Sequence, residues 1–256
     1  MIEAPLVILY FIVSLLAYAF AVYCNKMSIM DLIWTLGLAL GSLIHFSNLD
    51  TITTRAVLVL ILLLTWSFRL SYFLIKNRVL NQHEDPRYER LIKASKKYWK
   101  IVFMALFLFQ VVLAWLFLVP IYTAMNCPIE TIRWIDLLAF LCGALALLGE
   151  SISDHQLKVF CSKPNNQGKV CKTGLWRYSR HPNYFFEWLF WWAFVIFSIG
   201  SSVFYLSLLG PSVMYLFLRY ISGVPFAEMS SLERRGADYL QYQKETSVFF
   251  PFKPKL

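Results

Sequence analysis

Long apolar runs separated by short polar segments dominate the pattern along the chain. A helix that crosses a lipid bilayer needs about 20 mainly apolar residues, within a range of roughly 17–25. The pattern predicts seven such helices, at residues 5–23, 32–46, 56–75, 101–125 and 134–149 and in the long run 184–218, which divides at Gly200-Ser201-Ser202. The predicted fold class is therefore all-α: a polytopic membrane helix bundle that forms one integral domain over residues 1–256. No small-residue cleavage site follows the first run, so it is interpreted as a membrane anchor.

The polar segments have a pattern of their own. Residues 77–100 mix charges of both signs with aromatic and aliphatic side chains, which predicts an amphipathic helix at the membrane interface. Residues 160–172 predict a loop. In the tail, Pro225 predicts the start of one short helix and Gly236 its end, and a second helix follows. The apolar residues 248–252 are predicted to pack back on the bundle.

Composition narrows the class of protein. Hydrophobic residues make up 59% of the chain and charged residues 15%, whereas soluble domains have about 45–50% and about 25%. These values exclude a disordered chain and favour a membrane protein over a soluble enzyme. The five cysteines are odd in number and widely spaced, so they predict free thiols rather than a disulfide framework or a zinc site.

The basic residues predict the orientation in the membrane. The formal net charge is +9, and lysine and arginine gather in cytoplasmic loops. With the N-terminus outside, 20 of the 24 basic residues lie in segments predicted to be cytoplasmic, and only Arg55 and Arg133 lie outside. This distribution accounts for the basic charge without nucleic acid as a partner, and it predicts a cytoplasmic-type membrane, such as a bacterial inner membrane.

Several charged residues interrupt or end the apolar runs on the predicted cytoplasmic side. Ionisable groups in the bilayer are costly, so they are usually paired and often functional. The ionisable residues within or at the ends of the predicted spans are Arg69, Arg78, Glu150, Asp154, Arg180, His181, Glu187 and Arg219, and the polar Asn77 lies beside Arg78. The alternative interpretation is structural: snorkelling side chains, local ion pairs and anchors at the level of the headgroups.

Residues 174–187 hold the densest group of candidate functional residues. Pro182 suits the first position of a helix, where its missing N–H costs nothing. Asn183 and Glu187 are four residues apart, so they share one face of that helix. Free N–H groups at a helix start, close to Arg180 and His181, suit a phosphate. Interfacial anchoring by the neighbouring Tyr178 remains the other interpretation.

The run Arg180-His181-Pro182-Asn183-Tyr184, followed by the acidic Glu187, resembles the steroid 5α-reductase family, in its bacterial branch. It is also similar to the sterol C14- and C7-reductases and the lamin B receptor. The likeness covers about residues 59–256 and includes Glu84-Asp85-Pro86-Arg87-Tyr88 and the tail with Gly236 and Phe250-Pro251-Phe252. The residues 1–58 lie outside it.

The resemblance implies a membrane enzyme that binds NADPH from the cytosolic side and passes a hydride to a conjugated C=C bond of a hydrophobic substrate taken from the bilayer. By position, it implies that Asn183, Tyr184 and Glu187 contact the nicotinamide half. Tyr184 and Glu187 are then also candidate catalytic residues. The remaining cofactor-binding candidates are Arg69, Asn77, Arg78, Glu150, Asp154, Tyr178, Arg180, His181 and Arg219. It implies no metal.

The chain differs from the steroid enzymes at the residues that polarise or protonate the substrate. Those enzymes have a Gln-Glu pair on the second helix and a tyrosine on the third, and this chain has no such pair and has Trp66 at the tyrosine position. Asp31 is the acid near the cytoplasmic end of the second helix. It is either the proton donor, with a pKa raised by burial, or a residue of the helix N-terminus at the interface.

Two other functions stay open. Isoprenylcysteine carboxyl methyltransferase and the phospholipid N-methyltransferases have a similar C-terminal pattern, bind S-adenosylmethionine, and typically have two adjacent glutamates after the last span, where this chain has only Glu228. The second alternative is a non-catalytic scaffold that binds lipid or sterol. The sequence leaves the substrate and the oligomeric state open.

Overall fold

The computed structural model describes residues 4–255, and within that range it is helical without any β-strand. The helices are α1 (Ala4–Cys24), α2 (Ile29–Ser47), α3 (Thr54–Leu74), α4 (Pro86–Ser95), α5 (Trp99–Met125), α6 (Trp134–Ser162), α7 (Pro182–Phe197), α8 (Leu209–Leu216) and α9 (Val224–Glu245). Single π-helical turns extend two of them, at Ile75–Val79 after α3 and at Phe217–Ile221 after α8. The predicted all-α polytopic membrane bundle is confirmed.

The helices match the predicted spans, with one short member. Between residues 4 and 255, six helical segments are long and apolar enough to cross a membrane. The helix α7 has 16 residues, which is about 24 Å of helix and less than the roughly 30 Å of a hydrocarbon core. The break predicted at Gly200 is present, because Gly200 adopts a φ of 103° that ends regular helix there. In contrast, α6 runs on to Ser162, well beyond its predicted end at residue 149.

The predicted interfacial helix over residues 77–100 is shorter than expected. It begins at Pro86, because a residue that precedes proline is pushed out of the helical region. The side chain of Asp85 caps the new helix by accepting from the N–H of Arg87 at 2.9 Å. Lys96, with a φ of 47°, separates α4 from the start of α5. The prediction of one continuous helix in this segment is therefore wrong.

Contacts divide the chain into two compact units, while the predicted single membrane domain remains a prediction. The first contains residues 1–132 and 198–207, and the second contains residues 133–197 and 208–256. In the first unit, α1, α2 and α5 bury a core that includes Ala21, Met27 and Phe107. The guanidinium of Arg55 is buried there and donates to the backbone carbonyls that follow α5, those of Cys127, Ile129 and Thr131.

The second unit is built on α6 and α7. Phe249, which is 1% exposed, returns from the C-terminal tail to pack against the rings of Phe185, Trp188 and Tyr215. The predicted packing of the tail on the bundle is thereby confirmed. The helix α9 is kinked at Gly236, which has a φ of 51°, so the two short helices predicted for the tail meet at that glycine.

Candidate cofactor site

The candidate site in the second unit is centred on the contact of α6 with α7. A Cβ atom at Gly149 would lie 2.4 Å from the ring of Phe186, a distance that no real Cβ contact tolerates. Glycine at this position therefore lets the two helix backbones approach closely, with the aromatic ring lying on the α6 backbone. The next residue on α6, Glu150, is buried.

Four polar side chains line this helix pair. Glu150 and Asp154 lie one turn apart on α6, and Asn183 and Glu187 lie one turn apart on α7. The amide Nδ2 of Asn183 donates to Oδ1 of Asp154 at 3.2 Å. Glu187 is buried and accepts from the indole Nε1 of Trp191 at 3.1 Å. The structure thus brings together Asp154 and Asn183, which are 29 residues apart and were selected separately from the sequence.

The amide of Asn183 is only partly satisfied. Its Oδ1 atom is buried and accepts no hydrogen bond from any residue between 4 and 255. Buried acceptors are nearly always paired in folded proteins, and leaving one unpaired costs about 1–3 kcal/mol. A ligand N–H group would supply the donor that this oxygen lacks.

A short loop positions the first turn of α7. The indole Nε1 of Trp176 donates to the carbonyl of Ser153 at 2.9 Å, and Gln156 accepts from the N–H of Leu175 at 2.9 Å. Gly174 adopts a φ of 60° beside the Gln156 side chain, a conformation that favours glycine. Both contacts join the loop to α6, so the residues that precede Pro182 are held rigidly.

Arg180, a predicted phosphate ligand, forms a tertiary contact in the structure. Its Nε donates to Oε1 of Glu228 at 2.7 Å, and its Nη1 donates to the carbonyls of Gln243 and Thr246 at 3.0 and 2.6 Å. The side chain is 10% exposed. These partners engage Nε and Nη1 of the guanidinium, and they join the start of α7 to α9 and to the tail. Arg180 therefore takes part in a tertiary contact, and its role as a phosphate ligand stays a prediction.

His181 belongs to the same cluster. Its ring Nε2 lies 3.4 Å from Oε1 of Glu228, and its ring stacks on Tyr184 with centroids 5.4 Å apart. Burial lowers the pKa of His181 below its ordinary value, despite the opposing effect of Glu228. Burial acts in the other direction on Glu228, but the hydrogen bonds from His181 and Arg180 outweigh it and lower the pKa of Glu228 to about 2. Glu228 is thus a carboxylate that the cluster keeps ionised.

Of the two remaining candidates of this unit, Tyr178 is exposed and Arg219 is half-buried. Tyr178 is 43% exposed, and its carbonyl accepts from the N–H of Phe252 at 3.1 Å. Arg219 lies in the π-helical turn after α8, with its guanidinium 4.9 Å from the ring centroid of Tyr220. Turns of this type occur often at functional sites.

Three predicted cofactor ligands, Arg69, Asn77 and Arg78, lie in the first unit. Asn77 and Arg78 are in the other π-helical turn, after α3. Asn77 is exposed and its Nδ2 donates to the carbonyl of Phe73 at 2.8 Å. Arg78 forms ion pairs with Asp31 at 2.6 Å and with Asp85 at 3.3 Å. The sequence did not predict these two carboxylate partners of Arg78.

Asp31 lies at the centre of a polar network. Its carboxylate accepts from Arg78 and Arg87 at 2.6 and 2.9 Å and from the phenol of Tyr88 at 2.7 Å. Burial raises the pKa of Tyr88, with the negative charge of Asp31 adding to the effect, so the phenol remains a donor. These contacts argue for the structural interpretation of Asp31. Its role as the proton donor stays a prediction that no contact here supports.

The position at which the steroid enzymes have a tyrosine lies in the core of the first unit. Trp66 is fully buried and packs edge-on against Trp34, with centroids 5.6 Å apart. Beside Trp34 lies an apolar cavity of about 230 Å³ between α1, α2 and α5, with the amide of Gln110 among its walls. The indole Nε1 of Trp34 is buried and has no hydrogen-bond partner among residues 4–255. This cavity has the size and polarity to hold part of a hydrophobic molecule with one hydrogen-bond acceptor.

A family model matches residues 17–246 of the chain, and its description is protein of unknown function, DUF1295. The chain belongs to the DUF1295 family. The matched segment includes all the helices from α2 to α9 and every candidate site residue. No curated protein matches the sequence.

Sequence reasoning missed several functional contacts in this DUF1295 protein. Glu228 appeared only as a departure from the methyltransferase pattern, yet it is the partner of both Arg180 and His181. Asp85 and Arg87 were part of the resemblance but had no assigned role. The signal that could have identified them is the rule that intramembrane and interfacial charges are paired. The network in the first unit follows this rule, because it contains two carboxylates and two guanidinium groups, those of Asp31, Asp85, Arg78 and Arg87.

Proposed function

We propose that this DUF1295 protein is a membrane-embedded, NADPH-dependent oxidoreductase that reduces a C=C bond, of the enone type, in a hydrophobic lipid or steroid-like substrate. The family is associated with steroid 5α-reductase-like proteins, which supports this reaction class. The observation that supports it most is the pairing of Asn183 with Asp154, together with the unsatisfied Oδ1 of Asn183.

The residues of the second unit fit the nicotinamide and ribose half of such a cofactor. Oδ1 of Asn183 would accept from the carboxamide N–H, which supplies the donor that this buried oxygen needs. The carboxylates of Asp154 and Glu150 would accept from ribose hydroxyl groups. Glu187 accepts a hydrogen bond from Trp191 at 3.1 Å. It would hold the first turn of α7 against the nicotinamide ring.

The proposed phosphate ligands are supported mainly by the resemblance to the steroid 5α-reductase family. In the second unit, Arg219 in the π-helical turn after α8 is the basic candidate for the phosphates. Arg69, Asn77 and Arg78 belong to the first unit, and only the resemblance implies a phosphate role for them. Arg78 would have to share its charge with Asp31 and Asp85. Arg180 is assigned in the proposal to its tertiary contact, because its Nε and Nη1 already bind Glu228 and two carbonyls.

NADPH, when bound, would supply the hydride for one carbon of the C=C bond. The chain must deliver the proton that completes the reduction at the other carbon. Tyr184 is the proposed donor, because it has a phenol one residue from Asn183 and its ring is fixed by stacking on His181. His181 is neutral at physiological pH, so the stacked pair adds no positive charge of its own beside the cofactor.

The substrate is proposed to enter from the bilayer. The apolar cavity beside Trp34, lined by α1, α2 and α5, supports a hydrophobic substrate with a single acceptor such as a carbonyl oxygen. The distribution of lysine and arginine supports a bacterial inner membrane as the location, with the N-terminus outside and the cofactor side facing the cytoplasm.

The reaction is tested with purified protein in proteoliposomes, NADPH labelled with deuterium at the transferred position, and a panel of hydrophobic enones. The proposal predicts a reduced product that contains deuterium, and a loss of at least about tenfold in turnover for Tyr184→Phe. Tyr205→Phe, at an exposed tyrosine of the first unit, is the matched control and should retain turnover. Methyl transfer from S-adenosylmethionine under the same conditions would replace the proposal, and an unlabelled reduced product would contradict hydride transfer from NADPH.

A further inference from the structure

A basic cavity in the second unit is lined by residues that are not cofactor-binding candidates. It has a volume of about 410 Å³ and is formed by the turn before α7, the end of α9 and the C-terminal tail. Its walls are Lys172, Arg177, Gln241, Lys244, Glu245, Thr246, Pro254 and Lys255. None of these residues has a role in the proposed reduction.

Backbone hydrogen bonds build the walls of this cavity. The N–H of Phe252 donates to the carbonyl of Tyr178 at 3.1 Å, and the N–H of Lys255 donates to the carbonyl of Glu245 at 2.8 Å. The hydroxyl of Thr246 donates to the carbonyl of Arg177 at 3.4 Å. The tail is therefore fixed against the turn and against α9, so the cavity belongs to the folded structure.

The charge of the cavity is strongly positive. It contains four basic side chains and one carboxylate, and the carboxylate of Glu245 pairs with Lys172 at 3.4 Å. Lys172 is also positioned over the ring of Tyr242, with its Nζ 5.8 Å from the centroid. Between residues 4 and 255, no ion pair is formed by Arg177, Lys244 or Lys255. Three positive charges without an ion-pair partner in this range, around a concave surface that holds the single carboxylate of Glu245, are complementary to an anion with several oxygen atoms.

The position of the cavity specifies the source of that anion. Arg177 is five residues before Pro182, where the apolar helix α7 begins. Two aromatic side chains next to the cavity, Tyr178 and Phe252, are 43% and 65% exposed. Exposed aromatic rings beside basic residues at the start of a spanning helix are typical of the headgroup level of a bilayer. The cavity thus faces the region where lipid phosphates lie.

We propose that this cavity binds the phosphate of an anionic phospholipid headgroup in the leaflet on the predicted cytoplasmic side. The basic side chains surround the phosphate, and Tyr178 and Phe252 contact the adjoining acyl region. The lipid would fasten the tail and the turn before α7 to the membrane. This interaction is separate from the proposed reduction, because none of the residues that line the cavity is assigned to NADPH or to proton delivery. Tyr178, which the resemblance includes among the cofactor-binding candidates, is used here for contact with the membrane.

Native mass spectrometry of the full-length protein in detergent tests the proposal, with phosphatidylglycerol and phosphatidylcholine as probes. The wild type should retain phosphatidylglycerol in preference to phosphatidylcholine. The triple variant Lys172→Gln, Arg177→Gln, Lys244→Gln should bind phosphatidylglycerol at least about tenfold more weakly, because juxtamembrane basic residues each contribute to attraction for anionic lipid. A second variant, Lys172→Arg with Lys244→Arg, should keep both the fold and the lipid preference.

A matched control separates this site from the general positive charge. The variant Lys93→Gln, Lys97→Gln, Lys163→Gln removes the same charge from other segments predicted to be cytoplasmic and should bind phosphatidylglycerol as the wild type does. The proposal would be overturned if both triple variants lost the same affinity for phosphatidylglycerol. It would also be overturned if the cavity variant bound phosphatidylglycerol as the wild type does. Competition by inorganic phosphate at millimolar concentration as effective as competition by lipid would assign the site to a soluble anion and overturn the lipid proposal. If the Gln variant does not fold, a loss of lipid preference in the Arg variant contradicts the proposal.

Discussion

Arg180 and Glu228 form an ion pair of 2.7 Å between the residue that precedes His181 and the first turns of α9. The two residues are 48 positions apart in the chain. Their side chains are 10% and 17% exposed, so the pair is largely shielded from water. With the two carbonyls that Arg180 also binds, the contact holds α7, α9 and the tail of the second unit in one arrangement.

Removal of the arginine is expected to destabilise the protein strongly. Arg180→Met leaves the Glu228 carboxylate buried without its main partner, a change that costs about 3–5 kcal/mol in comparable cases. The melting temperature in detergent should therefore fall clearly. Arg234→Met is the control, since Arg234 is exposed and bonds only within its own helix, to Ser230. Equal melting temperatures for the two variants would show that the pair contributes no stability.

Stability should decrease as the pH falls, in two steps. Burial lowers the pKa of His181 below 6.5, so the unfolded chain takes up a proton that the folded chain refuses, and stability is lost as the pH falls below about 6.5. The lowered pKa of Glu228 stabilises the fold fully above 4.5 and progressively less between 4.5 and about 2. Melting temperatures from about pH 8 to about pH 3 measure both steps. His181→Phe should remove the first step, and Glu228→Gln should remove the second.

The close contact of α6 with α7 predicts that one methyl group added at Gly149 destabilises the protein. Gly149→Ala would force the ring of Phe186 away from the α6 backbone, at a cost of about 1–3 kcal/mol for overpacking. The double variant Gly149→Ala, Phe186→Leu should recover part of the lost melting temperature, because the smaller side chain makes room. No recovery would mean that the substitution acts through some other contact.

The two interpretations of Asp31 give different results for one variant. Asp31→Asn removes a negative charge that Arg78, Arg87 and Tyr88 share, so the structural interpretation predicts a loss of roughly 1–3 kcal/mol of stability. Turnover per folded molecule should then be retained. A variant with the wild-type melting temperature and no turnover would instead identify Asp31 as the proton donor.

The helices could be predicted from the sequence because the bilayer imposes one length on every apolar run. The break at Gly200 and the start of α7 at Pro182 follow from local backbone chemistry, so they were also predictable. The start of α4 depended equally on a local signal, the proline at position 86, and could have been placed correctly from it.

The candidate site was predictable only where its residues share a helix. The spacing of Asn183 and Glu187, and that of Glu150 and Asp154, identifies two faces, and the structure supplies the contact between them. The partners of Arg180 and Asp31 are 47 to 66 residues away in sequence. No local pattern specifies which distant group an arginine binds, so Arg180 was assigned to a phosphate rather than to Glu228.

The central claim is that the polar face of α6 and α7 binds NADPH, and an equilibrium titration of the purified protein in lipid nanodiscs tests it most directly. NADPH fluorescence should report saturable binding to the wild type, and S-adenosylmethionine titrated in parallel should show none. Asn183→Ala should weaken the binding at least about tenfold, the equivalent of about 1.4 kcal/mol for one polar contact. The control Asn166→Ala, at an asparagine that bonds to Phe160 in the same unit, should keep the wild-type affinity. Binding of S-adenosylmethionine in place of NADPH, or wild-type affinity in Asn183→Ala, would contradict the account.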